Sequence, residues 1–290
     1  MGSGHWDDDV FDDYAIESWG IGAAEAEHAD LSAQEVFRKI RLSSLLDPHG
    51  VTRACHDSTE HPETVPVILA LDVTGSMGSA AAKTATGLNK IMTDIFRSGS
   101  VKDVEFCIMA IGDIHYDNAP IQMSQFESDI RIAESMDEIY FEGGGGGNIY
   151  ESYTAAWYMG LHHCDLHCWK RGKKGLIITL GDEMPNPFLN AAELQRVTGD
   201  SLQGDIETRA LLRQTLEKFE VYHLSVDDPH SSYVRNQRNH NLDKAWTELL
   251  GADRYRVVNL NSLAGEVSGI VESFAGAQNA EETVTAPHLW

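Results

Sequence analysis

The chain has 290 residues with 45 acidic against 22 basic side chains, a formal net charge of −23. It therefore lacks the clustered Lys and Arg with which nucleic-acid and anionic-membrane binders displace counterions, and the balance suits cationic partners, metal ions or solubility alone. At 42% hydrophobic residues the length supports one large α/β domain with appendages, and no apolar run reaches the roughly 18 residues that cross a bilayer.

Residues 1–64 read as an acidic N-terminal extension packed on the main domain. "HWDDDVFDDY" is a charge run of the kind that is usually solvated, but Trp6, Phe11, Tyr14 and Trp19 are aromatic enough to anchor in grooves while the aspartates stay wet. Ser32, with Glu35 three residues on, predicts a capped helix through Val36, Ile40 and Leu45 to a stop near Pro48, with a turn at Gly50.

The main domain is expected over residues 65–275, with a tail over 276–290. "VPVILALD" lacks polar alternation and predicts a strand covered on both faces, as in a parallel sheet. Beyond Gly78, the spacing of Leu88, Ile91, Met92 and Ile95 predicts one helix ending at Gly99. "VEFCIMAIGD" reads as a second buried strand, residues 110–127 as a loop over the ligand-binding edge, and 126–140 as mixed helix and loop. The glycine run after it is a loop, followed by a helix in "YTAAWYMGLHH" and a third buried strand in "GLIITLGDE". Helix, strand, helix, strand and helix then follow in "TRALLRQTLEKF", "EVYHLSV", "DKAWTELLG", "YRVVNL" and "LAGEVSGIVESFAG". Such alternation predicts an α/β fold with a doubly wound, mostly parallel central sheet flanked by helices, which binds ligands at the carboxyl ends of its strands.

Three aspartates fall at such ends: Asp72, Asp113 and Asp182. Thr74 and Ser76 share the tight turn of Asp72, so a carboxylate and two hydroxyls converge. Oxygen donors of this kind suit a hard cation, Mg²⁺ or alternatively Mn²⁺ or Ca²⁺, better than zinc.

Asp72-Val73-Thr74-Gly75-Ser76 resembles the D-x-S/T-G-S turn of von Willebrand factor A domains, where it forms the metal-ion-dependent adhesion site. The resemblance covers roughly residues 65–275. It implies a metal held by Asp72, Thr74 and Ser76, a further ligand from a Gly-rich loop (here residues 143–148) and an aspartate after a central strand, which is Asp182. The family's loop threonine falls at Gly147, so water, Asn148, a backbone carbonyl or Glu151 must replace it, and T-L-G-D stands where T-D-G is usual. The resemblance further implies a protein-interaction module without catalytic groups. Its ion takes a Glu or Asp from a protein partner, and members inside cells work in assemblies, so a chaperone-like ATPase or another copy of the chain is the implied partner, with no nucleic acid and no membrane.

Other signals carry competing readings. Asp113 and Asp117 either support the metal turn or form turns of their own. His162, His163, Cys164, His167 and Cys168 suggest zinc, but no second Cys/His group has matching spacing, and a helix end with core-facing thiols is the better reading. The four cysteines (Cys55 and Cys107 are the others), without a basic-then-apolar leader, predict a reducing, cytoplasmic setting. The basic run from Lys170 to Lys174 reads as an exposed turn, Trp157, Tyr158, Met159 and His223 as packing residues, and Asp227, Asp228 and Pro229 as a strand end and turn.

Two alternative functions stand beside the interaction module. "LALDVTGSM" resembles the start of haloacid-dehalogenase phosphatases, with Asp72 as nucleophile. That chemistry needs a general acid at position 74, and Thr74 cannot protonate a leaving group as a carboxylic acid does. The other alternative is a purely structural assembly subunit with no metal.

Overall fold

The computed structural model describes residues 4–98, 101–144, 150–227, 236 and 241–285. Its acidic start is a helix, Asp8–Trp19 (α1), capped by the Asp7 carboxylate on the amides of Asp9 and Val10. Gly20 ends it at φ 78°, a left-handed conformation that glycine adopts without strain. Asp7, Asp8, Asp9 and Asp13 stay exposed while the aromatic residues pack inward, the combination expected of this segment. Phe11 and Ala15 are fully buried in the main core, and Phe11 packs against Trp6, Tyr14 and Trp19 at ring separations of 5.2–6.0 Å.

After the single turn Ala23–Ala26 (α2), the capping box of Ser32 and Glu35 is present as expected, but the helix it starts is only Ala33–Val36 (α3). Phe37 leaves helical geometry and stacks on Phe141 with rings 5.8 Å apart. Ile40 and Leu45, through which the helix was expected to run, lie outside it and are 88% and 65% exposed. A packing contact outside the segment has outweighed its local periodicity.

Val65–Asp72 (β1) is buried from Pro66 onward. The helix after it breaks at Gly87 into Gly78–Thr86 (α4) and Leu88–Ser98 (α5), and α5 buries Leu88, Ile91, Met92 and Ile95 as their spacing requires. Val104–Ile111 (β2) is buried throughout, and Ile121–Glu127 (β3) pairs with it antiparallel. That strand corrects the loop expected over 110–127. Ile121 and Met123 alternate with Gln122 and Ser124, a strand period overlooked beside the turn-forming residues before it.

The chain continues through Arg131–Asp137 (α6), Thr154–His162 (α7), Gly175–Gly181 (β4), Ala191–Thr198 (α8), Thr208–Lys218 (α9), Phe219–Val226 (β5), Leu242–Leu250 (α10), Tyr255–Val258 (β6) and Leu263–Thr285 (α11). The sheet order is β6-β5-β4-β1-β2-β3, parallel except for β3.

The pleat divides β1 between two cores. Val67, Leu69 and Leu71 join α1, α4, α5 and α11 on one face; Ile68 and Ala70 join α7, α9 and α10 on the other. Strand order reverses between β1 and β4, which are direct neighbours with Leu71 opposite Leu180. That reversal is the switch point at which doubly wound sheets bind ligands. Among the described residues, no helix is long and apolar enough to cross a membrane.

Candidate metal centre

Asp72 closes β1 and Asp182 directly follows β4, so two adjacent central strands deliver their carboxylates side by side. Asp72 is fully buried. Its Oδ1 accepts from the Thr74 amide at 2.9 Å and the Thr74 hydroxyl at 2.5 Å, and its Oδ2 accepts from the Tyr153 hydroxyl at 2.6 Å. Ser76, exposed at the start of the next helical turn, donates its hydroxyl to Asp182 Oδ1 at 3.0 Å. Asp182 is also fully buried, and its Oδ2 has no hydrogen-bond partner.

The turn is held from the other side by the glycine loop. The Gly75 amide donates to the Gly144 carbonyl at 2.8 Å and the Gly143 amide to the Val73 carbonyl at 3.3 Å. A Cβ on Gly75 would sit 3.0 Å from the Gly143 carbonyl, so a side chain here would make the glycine loop give by a few tenths of an ångström. Gly147 and Asn148, the expected ligand position and its replacement, lie outside the described residues.

Tyr153 and Glu151 are functional candidates that motif reading left aside or kept only as an alternative. Tyr153 is fully buried at the start of α7 and touches both strand ends: besides donating to Asp72, its hydroxyl accepts from the Glu183 amide at 3.2 Å. Gly181 leaves the room, since a Cβ there would fall inside the Tyr153 ring and hydroxyl. Trp246, whose indole donates to the Glu183 carbonyl at 2.9 Å, and His223, stacked on it at 3.7 Å, wall this side. Glu151 is 3% exposed on a short strand, Tyr150–Glu151, paired parallel with Met184–Pro185.

Asp113 and Asp117 occupy the neighbouring loop after β2. Asp113 Oδ1 accepts from the His115 amide at 2.8 Å, while Asp117 Oδ2 accepts from the Asp113 amide at 2.8 Å. Both carboxylates form turns, and both also act electrostatically on Glu151. Asp113 is thus brought to the site's edge with one oxygen committed to the loop.

Burial pushes Asp72, Asp182 and Glu151 all upward from the usual carboxylate range, and Asp72 is the foremost charge raising the other two. Asp117 is pushed up to about 6, by burial first and then by Glu142, Asp113 and Asp72. The arrangement therefore concentrates carboxylates in a dry place and leaves oxygens without donors, a condition that a cation or protons must relieve. Among the described residues no three His, Cys, Asp or Glu side chains are arranged to hold an ion by themselves. The hydroxyls of Thr74 and Ser76 would complete such a shell. The donors are all oxygens, and they fit a hard divalent cation.

The histidine–cysteine segment does not converge. His163 sits between the Val51 carbonyl and Asp200, each at 2.8 Å, and His167 stacks on His56 at 4.0 Å. All four cysteines are free and buried, and burial raises their thiols. In the basic run, Arg171 pairs with Asp57 and Lys174 with Glu220. Trp157, Tyr158, Met159 and His223 are buried packing residues as expected, while Asp228 and Pro229 lie outside the described residues.

No protein-family model and no curated protein matches the sequence. Solved structures do. The pilus adhesin SpaC from Lactobacillus rhamnosus GG aligns with a TM-score of 0.50 at 14% identity over 78% of this chain and 32% of the adhesin; the chain thus spans about a third of that protein's length. The vWF domain of the type V pili tip protein Mfa5 from Porphyromonas gingivalis aligns at 0.45 and 9% identity over 78% of this chain and 98% of that one. The manganese-loaded TRAP protein of Plasmodium vivax aligns at 0.38 and 14% identity over 72% and 74%. The six-strand order with one antiparallel edge strand, the Asp72 turn at its switch point and the match at 0.50 give the chain a von Willebrand factor A-type fold.

Proposed function

We propose that the chain is a protein-interaction module whose binding face is organised by a divalent cation, Mg²⁺ foremost, at the Asp72 turn. The observation that carries this reading is the pair of buried carboxylates on adjacent strand ends, Asp72 and Asp182, the latter with an unpartnered oxygen, beside the hydroxyls of Thr74 and Ser76. Asp72, Thr74, Ser76 and Asp182 would hold the ion, with Asp113 at the edge and Asn148 from the glycine loop. When bound, the ion supplies a positive centre that attracts an oxygen of a partner. Tyr153 fixes Asp72 from behind, and Ser76, the exposed member, marks the side from which a partner approaches. The adhesin name of the SpaC match agrees with a binding role. A chaperone-like ATPase or another copy of the chain, inside the cell, is the partner the family resemblance suggests.

The phosphatase alternative gains nothing from the geometry. The position needed for its general acid is Thr74, whose hydroxyl donates to Asp72, and both oxygens of Asp72 are engaged by hydrogen bonds.

The test is partner recovery in a pull-down from the native host, with and without EDTA, for wild type, Asp72→Ala and Ser76→Ala. Recovery is expected only without EDTA, lost in Asp72→Ala and reduced in Ser76→Ala. Equal recovery in every arm would overturn the metal-organised reading and leave a structural subunit.

A further inference from the structure

We propose that two copies of this chain associate about a twofold axis, the basic segment around Ile40 of each copy lying on the outer face of α1 of the other. The inference goes beyond the cation reading, since no residue of the Asp72 turn takes part.

The outer face of α1 is acidic and partly apolar. At 100° per residue, positions 9, 10, 13, 16 and 17 fall within about 120° of one another, opposite the buried Phe11 and Ala15. Asp9, Asp13 and Glu17 are exposed there, and between them stand Val10 and Ile16, 45% and 51% exposed. The three acids follow one another at i, i+4 and i+8, a spacing at which like charges repel. The last turn holds Glu17 and no basic residue, although the helix dipole favours a cation at that end. Among the described residues no ion pair relieves these three carboxylates. A cationic surface laid on this face would relieve both costs.

Such a surface follows α3. Phe37 turns inward to Phe141, and the chain beyond it leaves Ile40 88% and Leu45 65% exposed. Arg38 and Arg41 flank Ile40 and are exposed as well. Lys39 pairs with Glu138 at 2.6 Å, whereas Arg38 donates only to the carbonyls of Ser18 and Glu35, and Arg41 has no ion pair among the described residues. Two guanidiniums without a carboxylate are conspicuous in a chain of net charge −23.

The two patches are complementary in charge and alike in offering open aliphatic side chains, so the chain carries both halves of one contact. They also adjoin, because Arg38 reaches the Ser18 carbonyl in the last turn of α1. Adjacent complementary patches suit an isologous dimer, in which a twofold axis sets each patch against its complement and closes the assembly. The net charge opposes this weakly. At physiological ionic strength charges more than about 8 Å apart are largely screened, while opposite charges in contact are not.

The experiment is sedimentation velocity of the full chain at physiological ionic strength, from micromolar to submillimolar protein. Wild type should form a dimer and nothing larger, equally with and without EDTA. Arg41→Glu and Asp13→Lys should each weaken the dimer about tenfold or more, since a twofold axis counts every substitution twice. Ile40→Ser should weaken it without changing charge, and all three should melt with wild type. An equimolar mixture of Arg41→Glu and Asp13→Lys should dimerise again, because each reversed charge then faces its opposite and the second contact stays native. Wild type that remains monomeric, a dimer indifferent to these substitutions, a mixture that stays monomeric, or growth into larger species would overturn the proposal. Dissociation by EDTA would also overturn it, by moving the contact to the Asp72 turn; loss of the dimer in Arg41→Glu with unchanged Mg²⁺ response would leave the cation reading standing.

Discussion

Tyr153 shows how much of this site depends on one hydroxyl. It is the donor to Asp72 Oδ2, and a glycine at position 181 makes its seat. Tyr153→Phe keeps the ring packing against Trp246 and His223 but leaves a buried carboxylate oxygen unpaired. In EDTA it should cost about 1–3 kcal/mol by urea denaturation; an unchanged midpoint would show that Asp72 does not need this donor. Titration acts at the same scale. Glu105, at the opposite end of the sheet, is pushed up to about 7 and Asp117 to about 6, both mainly by burial, from ordinary values of 4.5 and 3.8. Their folded states hold protons more tightly than the unfolded chain does, so their contribution is full below about pH 4 and is lost as pH rises through about 6 and 7. Asp182 and Glu151 shift in the same direction. Metal-free protein should therefore lose melting temperature between pH 5 and pH 8, and a rise over that interval would contradict the burial of these carboxyls.

The elements differ in how far the sequence revealed them. β1, β2 and β4 were legible because strands buried on both faces are mostly apolar with no polar alternation, and α5 because four apolar residues share one helical face. Asp72, Thr74 and Ser76 were legible for a related reason: their turn is local, and a motif can describe it. Tyr153 was not read as a site residue, and Glu151 only as one of several alternatives, because only the crossing of α7's start over the ends of β1 and β4 brings Tyr153 to Asp72 and Glu183. The same limit hid the end of α3, where Phe37 turns out to meet Phe141 across the fold. In and around α1 the aromatic residues singled out in the sequence are the ones that pack inward. Phe11→Ala should cost about 3–5 kcal/mol, as expected for a fully buried phenylalanine. A change within error would mean that α1 leaves the core without consequence.

At the scale of the molecule, the doubly wound sheet converts distant sequence into one rigid edge. Strand ends separated by more than a hundred residues meet at the switch point, and the helices on both faces exclude water beneath them. The net charge of −23 adds a long-range preference for cations without choosing their place. In the function proposed here, Asp72, Asp182 and the hydroxyls beside them choose it. A ligand bound only by the folded state stabilises it by mass action, about 2.7 kcal/mol at a hundredfold excess over its dissociation constant. The decisive measurement is the melting temperature of EDTA-stripped protein with and without millimolar Mg²⁺, in wild type and Asp72→Ala. Mg²⁺ should raise it in wild type and leave Asp72→Ala unmoved; no rise in wild type, or an equal rise in both, would contradict a cation site at the Asp72 turn.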